Sequence, residues 1–427
     1  MRFKSLILGG ISLLAITSTA SADDSYSQVE GPGILLSDSS VLHPSLGAEV
    51  GVDSNVFREE DQENFSAWFR LSAALDVASL GQDRLRLDDN AAQPKLIYRV
   101  GVSAAYTEYL SGNSDIRAQR NLSLTADADF KILPAETFTL EIQDHFVRVI
   151  RPRNFESNEQ LPRDINTFRV DGGVQPGGRS IYAGIYYQNL LDYFESVGSR
   201  FANRINHDIG LQIRWQWRPF TRIWFDASYG FYGGFQTEAE QFKVPSNPLR
   251  LRTGIASALT ERLSASVFAG YAQGNYEEGA SFNAPIFGAE ASYKYSLAGK
   301  VTLSYNYDNT DSINSNFFSE HVIRARLQHN VQRIQFSAYA ANRFRTYNEL
   351  NAAFGAVNGE TTRDDVIFDT GVGLRYWANE RLALQADYYF VVDETDFRSN
   401  FGVTASNTLD DPSFLRHTFW VGAQLAY

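Results

Sequence analysis

Asn203-Arg204-Ile205-Asn206-His207-Asp208-Ile209-Gly210-Leu211-Gln212-Ile213-Arg214-Trp215-Gln216-Trp217-Arg218 is the stretch whose reading decides the fold. From Ile205 to Trp217 the odd positions are apolar or aromatic, His207 excepted, and the even ones are polar, charged or glycine. A period of two held this long fits only an extended strand, whose successive side chains point to opposite faces. Strands of soluble sheets are usually about 5–6 residues long. A run of this length suits a tilted strand that crosses a bilayer.

The same alternation recurs in both directions along the chain. Towards the N-terminus it covers residues 46–57, 65–77, 96–106, 122–130, 138–150, 165–175 and 181–189. Towards the C-terminus it covers 223–235, 249–259, 263–271, 287–295, 301–307, 319–328, 334–340, 366–376, 382–392 and 415–427. Together these runs predict an all-β chain, a transmembrane antiparallel β-barrel of 18 strands, within a range of 16–18. Residues 138–175 set that range, because Pro152 and Gly172-Gly173 blur the register there. Parity alone does not separate a soluble sandwich from an inverted barrel with lipid outside and water inside. The connections, the ends of the chain and the placement of the aromatics do.

Tight turns at residues 130–137, 176–178, 219–221, 260–262, 296–300, 330–333 and 378–381 alternate with longer polar stretches. The long stretches are 151–164, 236–248, 308–318, 345–365 and 394–414. Short periplasmic turns and long extracellular loops follow that rhythm. Arg2 and Lys4, the apolar run 6–16 and Ala20-Ser21-Ala22 read as a cleaved export signal over residues 1–22. Residues 23–45 then form a short periplasmic leader, and 46–427 the barrel. At the other end Phe419, Val421, Leu425 and Tyr427 share the apolar parity, the pattern expected of a signal for the barrel-assembly machinery. Phe130, Trp217, Tyr295, Tyr376 and Tyr427 fall at lower strand ends, and Tyr106, Tyr229, Tyr271 and Tyr307 fall high on ascending strands. Two aromatic girdles are expected of a bacterial outer-membrane barrel.

Composition closes other classes. The 427 residues carry a formal charge of −12 and no Cys, which removes disulfide scaffolds and thiol chemistry and argues against a nucleic-acid partner. His43, His145, His207, His321, His329 and His417 form no His-x-x-x-His or His-Glu-x-x-His pair, and no Gly-x-Ser-x-Gly elbow occurs. Asp393-Glu394-Thr395-Asp396 lacks the spacing of a calcium loop and reads as solvated. The chain is therefore expected to be no enzyme and to need no cofactor or metal.

Gly51-Val52-Asp53-Ser54-Asn55-Val56-Phe57-Arg58 resembles a short signature near the start of barrels in the putative β-barrel porin-2 family. The resemblance implies a large outer-membrane barrel, and many such barrels are encoded beside exopolysaccharide or capsule genes. It thus implies a passive, porin-like channel serving polysaccharide export, with polysaccharide or periplasmic export components as partners. The alternatives are a diffusion porin for small nutrients and a non-conducting structural or adhesion barrel. From the residues alone, Asp53 and Asn55 share the lumenal parity at the upper rim, where Ser54 and Arg58 could tie the first loop.

Only six of the 38 basic residues are Lys. Arg70, Arg99, Arg214, Arg218, Arg250, Arg252, Arg324, Arg326 and Arg375 fall on the water-facing parity. Glu49, Asp76, Asp127, Glu141, Asp208, Asp226, Glu290, Asp369 and Asp387 share it. Such a lumen can carry a transverse field that sorts charged solutes, stiffen its wall with Arg–carboxylate pairs, or do both at once. Arg214, Arg218, Arg250 and Arg252 are expected to form one basic patch in the periplasmic half. Arg120, His207, His321 and His417 lie on the lipid-facing parity near the upper strand ends, at the level of lipopolysaccharide phosphates.

Overall fold

The computed structural model describes residues 31–37, 39–60, 64–79, 94–149, 162–176, 180–195, 200, 202–235, 244–313, 315–350, 362–395, 397 and 412–427. The strands are β1 (Ile34–Ser37), β2 (Ser40–Asp53), β3 (Ser66–Ser79), β4 (Leu96–Leu110), β5 (Asn121–Ile132) and β6 (Phe138–Val149). They continue as β7 (Arg163–Val174), β8 (Ile181–Phe194), β9 (Arg204–Arg218), β10 (Thr221–Gly234), β11 (Ser246–Ala258) and β12 (Leu263–Tyr276). The last are β13 (Phe282–Tyr293), β14 (Gly299–Asp311), β15 (Ser315–Val331), β16 (Ile334–Leu350), β17 (Thr362–Trp377), β18 (Leu382–Thr395) and β19 (Phe414–Ala426). One short helix, α1 (Ser114–Ala118), follows β4, its N-terminus capped by the Asn113 side chain.

Each strand from β2 to β19 pairs antiparallel with its neighbours in sequence, and β19 pairs back onto β2 from Thr418↔Asp53 to Ala426↔Ser45. That closure leaves eighteen strands in a ring, as the alternation predicts, one strand for each run. Closure pairs every edge, which a lipid-facing backbone requires. The region that blurs in the sequence is regular in space: β6 pairs β7 in unbroken register from Phe138↔Val174 to Val149↔Arg163.

Side chains divide as the parity demands. On β9 the outward Ile209, Trp215 and Trp217 are exposed, while the inward Asn206 and Gln212 are buried. The lower turns are short where they are described, and the longer β3–β4 connection, residues 80–95, lies mostly outside the described residues. Val331 pairs directly with Ile334, and Gln332 between them takes a positive φ of 50°.

Two boundaries differ from the sequence reading. The 308–318 stretch is largely strand, because β14 and β15 pair up to Asp311↔Phe317, and the described ends of the 345–365 stretch are strand too, β16 running to Leu350 and β17 starting at Thr362. Above the membrane the backbone ladder continues while both faces are packed or wet, so nothing demands alternation there. Ser315, Asn316, Phe317 and Phe318 are buried on both parities. The first barrel strand also starts earlier, at Ser40 instead of Leu46. Within the expected leader, β1 pairs with β2 at Ile34↔Leu42 and Leu35↔Val41, below the point where β19 ends. The proposed export signal lies outside the described residues.

Candidate functional site: the barrel lumen

The signature stretch is a clasp across the seam between the first and last barrel strands. Arg416 on β19 grips the Asp53 carboxylate with two bonds, Nε to Oδ1 at 2.8 Å and Nη2 to Oδ2 at 2.6 Å. The Ser54 amide donates to the His417 carbonyl, and the Ser54 hydroxyl accepts from the His417 amide, both at 2.9 Å. The Asn55 amide group donates to the carbonyls of Glu59 (2.7 Å) and Leu415 (3.0 Å). Arg58, at a φ of 59° uncommon for a non-glycine residue, lies over the Phe414 ring at 5.6 Å. Gly51 is required by close approach: a Cβ there would sit 2.5 Å from the Trp68 ring and 2.6 Å from the Phe419 carbonyl oxygen.

Behind the clasp the upper lumen is a protein core. Trp68, Tyr109, Ile367, Tyr389, Val391, Phe414 and Trp420 project inward from β3, β4 and β17–β19. Val56 from the first loop and Ile116 from α1 drop onto them. Trp68 and Trp420 lie 6.3 Å apart, ring to ring. A smaller cluster of Ala272, Phe282, Ile286 and Phe317 fills the upper lumen along β12–β15. Loops and helix therefore narrow the barrel from its extracellular end.

Most inward Arg residues meet carboxylates. Arg70 bonds Glu49 at 2.5 Å, Arg99 bonds Asp76 at 2.7 Å, and Arg252 bonds Asp226 at 2.9 Å. Arg343 and Arg345 converge on Glu320, and Arg343 also bonds Asp369 at 3.2 Å. Arg163 and Arg204 share Asp192. Asp208 accepts from the Tyr232 hydroxyl at 3.1 Å. Arg324, Arg326, Arg375, Asp387 and Glu290 also lie on inward positions, with Asp387 opposite Gly373 and Arg375 between Gln335 and Gln385.

The expected four-residue basic patch does not form. Because β11 descends, Arg250 lies near its upper end, and it bonds Asp308 (2.5 Å) and the Asn309 carbonyl. Arg252 is taken by Asp226, whereas Arg214 and Arg218 stand in the lower half, over Tyr182 (4.9 Å) and Trp217 (4.5 Å). β9 and β11 both descend, and the register sets Arg250 and Arg252 level with Gly210 and Gln212, above Arg214 and Arg218, which parity does not reveal. Asp393 and Glu394 sit on opposite faces of β18 and so diverge, and Asp396 lies outside the described residues.

One stretch of wall stays open. Asp76, Arg99, Gly101, Ser103, Thr125, Asp127 and Asp129 line a cavity of about 230 Å³ on β3–β5. A Cβ at position 101 would press to 3.0 Å from the Asp76 carboxylate, so glycine there keeps the niche clear. His145 of β6 bonds Asp127, and Lys131 bonds Glu141 at 3.0 Å just below. Composition does not announce this niche. It appears only once β3–β6 are set in register.

On the outer face His207, His321 and His417 occupy the expected lipid-facing positions, and His329 joins them at the periplasmic end of β15. Arg120 is displaced: it lies in the loop one residue above β5, beside the Tyr106–Glu108 hydrogen bond. At the rim, the Arg148 guanidinium holds the Glu195 carboxyl below the usual carboxylate range.

Residues 39–408 match the family model described as putative beta-barrel porin 2. No curated protein matches the chain. Among solved structures it is similar to Pseudomonas aeruginosa OccK2 (OpdF), at 10% identity and TM-score 0.46, covering 90% of this chain and 98% of that one. Acinetobacter baumannii OccAB2 gives 10% identity and TM-score 0.48 over 91% and 98% of the two chains.

Proposed function

The chain belongs to the putative β-barrel porin-2 family, and from that premise we propose that this outer-membrane barrel is a passive channel whose water path runs against the β4–β6 wall. The observation that carries the reading is the contrast of two walls at one height. Asp127 lies five residues above the lower end of β5, with Asp129 below it and His145 beside it. Arg326 lies five residues above the lower end of β15, with Arg324 above it. β15 is eight strands from β5 one way around the ring and ten the other, so the two walls nearly face each other. Acid on one wall and arginine on the other set up a field across the passage, and lumenal charge tunes selectivity.

Polysaccharide export is the finer form of this proposal. The niche supports it chemically: the Ser103 and Thr125 hydroxyls, the Asp76, Asp127 and Asp129 carboxylates and the Arg99 guanidinium are the donors and acceptors that sugar hydroxyls and uronates meet. Planar-bilayer recording tests both forms. Open-channel current is expected, with reversal potentials shifting towards cations in Arg324→Gln/Arg326→Gln and towards anions in Asp127→Asn/Asp129→Asn. Reduction of that current by acidic oligosaccharide, abolished in Arg99→Gln, is the expected mark of the finer reading. Absence of any current would leave the non-conducting barrel, and a conducting barrel indifferent to oligosaccharide would leave the small-solute porin.

A further inference from the structure

Three extracellular hairpins carry the same outward pair. On β9, His207 Nδ1 lies 2.8 Å from the Tyr187 hydroxyl of β8. On β15, His321 Nδ1 lies 2.8 Å from the Tyr305 hydroxyl of β14. On β19, His417 Nδ1 lies 2.7 Å from the Tyr388 hydroxyl of β18. In each case His is on the descending strand, and Tyr is two residues below the position directly opposite it, at Asn189, Tyr307 or Phe390. The opposite residue holds the imidazole too. Tyr307 stacks on His321 at 4.3 Å, Phe390 packs on His417 at 4.8 Å, and the Asn189 amide bonds His207 Nδ1 at 3.1 Å.

The heights agree as well. Ten residues separate His207 from Trp217, His321 from Val331 and His417 from Tyr427, and each lower residue faces outward at the bottom of its strand. Ten residues at about 3.3 Å each, tilted by roughly 40°, rise about 25 Å, the height of the apolar band of such barrels. All three histidines therefore stand at the upper edge of that band. A tyrosine hydroxyl that donates to Nδ1 selects the neutral tautomer whose proton resides on Nε2. Among the described residues no hydrogen-bond partner of that nitrogen is seen.

We propose that these three Tyr–His pairs are binding points for the phosphate groups of outer-leaflet lipopolysaccharide, each offering a tautomer-fixed Nε2–H donor at headgroup level. Tyrosine positions the ring, and histidine makes the contact. The proposal rests on the barrel's orientation and not on conduction. A further pair provides the control: His329 Nδ1 lies 2.7 Å from the Tyr295 hydroxyl, with the rings stacked, but at the periplasmic end.

The test compares full-length wild type, the triple variant His207→Phe/His321→Phe/His417→Phe and the single variant His329→Phe, all extracted from outer membranes in detergent. Co-purifying lipopolysaccharide is expected to fall at least threefold in the triple variant and to be unchanged in His329→Phe. A Tyr187→Phe/Tyr305→Phe/Tyr388→Phe variant, which keeps all three imidazoles, is expected to lose an intermediate amount, and it carries the test if the triple variant does not fold. Purified lipopolysaccharide should raise the unfolding temperature of delipidated wild type, whereas the same lipid dephosphorylated should not. A response to inorganic phosphate at equal concentration would reassign the site to free phosphate and overturn the proposal. So would full retention in the histidine and tyrosine variants, or equal loss in His329→Phe. Orientation is checked separately: Gly112→Cys should label from outside intact cells and Asn379→Cys should not.

Discussion

The seam side of the lumen and the β4–β6 wall are built from the same residue types and behave as opposite materials. At the seam, the side chains of Asp53 and Arg416 are 0% and 5% exposed, and those of Glu49 and Arg70 are 1% and 10%. On the other wall, Arg99 is 51% exposed, Asp127 46% and His145 53%. The strands do not make the difference, since both sectors alternate in the same way. The loops do. Residues 54–58 and α1 fold over the seam and convert lumenal positions into a core, whereas the β4–β6 wall keeps its charges in contact with water. A barrel of this size is thus a wall whose inner face becomes core or channel according to what covers it.

The largest effect that could break this comparison is at the clasp. Arg416→Ala leaves the Asp53 carboxylate buried without its two-bond partner, and removing one side of a buried pair costs about 3–5 kcal/mol. The expected readout is a marked fall in the urea midpoint of the detergent-folded barrel. A loss below about 1 kcal/mol would show that water reaches the seam. Next in size is Gly51→Val, whose side chain would collide with the Trp68 ring and the Phe419 carbonyl. Overpacking of that kind costs about 1–3 kcal/mol. Unchanged stability in Gly51→Val would mean that the aromatic cluster yields easily and is no core. Smaller again is Asp127→Asn/Asp129→Asn, expected to leave the unfolding free energy within about 0.5 kcal/mol of wild type, even as it shifts the reversal potential.

How much of this was legible beforehand follows from the physics of each signal. Alternation marked all eighteen barrel strands because lipid on one side and water on the other impose it residue by residue. It failed above the bilayer, at Ser315–Phe318 and the upper part of β16, where no such contrast exists. The seam clasp was visible as a motif at residues 51–58, but its partner Arg416 lies more than 350 positions away, and only closure of the ring brings the two together. The niche at Gly101 depends on register across four strands, and the basic patch failed because parity carries no height. Outer-face histidines could be placed from parity and distance to the strand end. Their tyrosines could not, because a diagonal pair requires the register. Asp144, outward near the middle of β6 and bonded to Asn166 at 3.0 Å, breaks the outer alternation, and nothing in the structure explains its charge there.

The smallest expected effect is also the sharpest check on the wet wall. Lys131 and Glu141 lie 3.0 Å apart on neighbouring strands, with side chains 48% and 36% exposed. An ion pair this open is offset by side-chain entropy and screened by solvent, so it contributes roughly 0–1 kcal/mol. Glu141 also accepts from the Gln143 side chain at 3.1 Å, so losing the lysine does not strand it. Lys131→Ala should therefore lower stability by less than about 1 kcal/mol at low salt. The difference should vanish in 1 M KCl, where the Debye length is about 3 Å. Arg416→Ala, measured beside it, should keep most of its loss in the same salt, because screening reaches buried pairs poorly. If both variants respond to salt alike, the two walls share one environment and the channel does not favour the β4–β6 side.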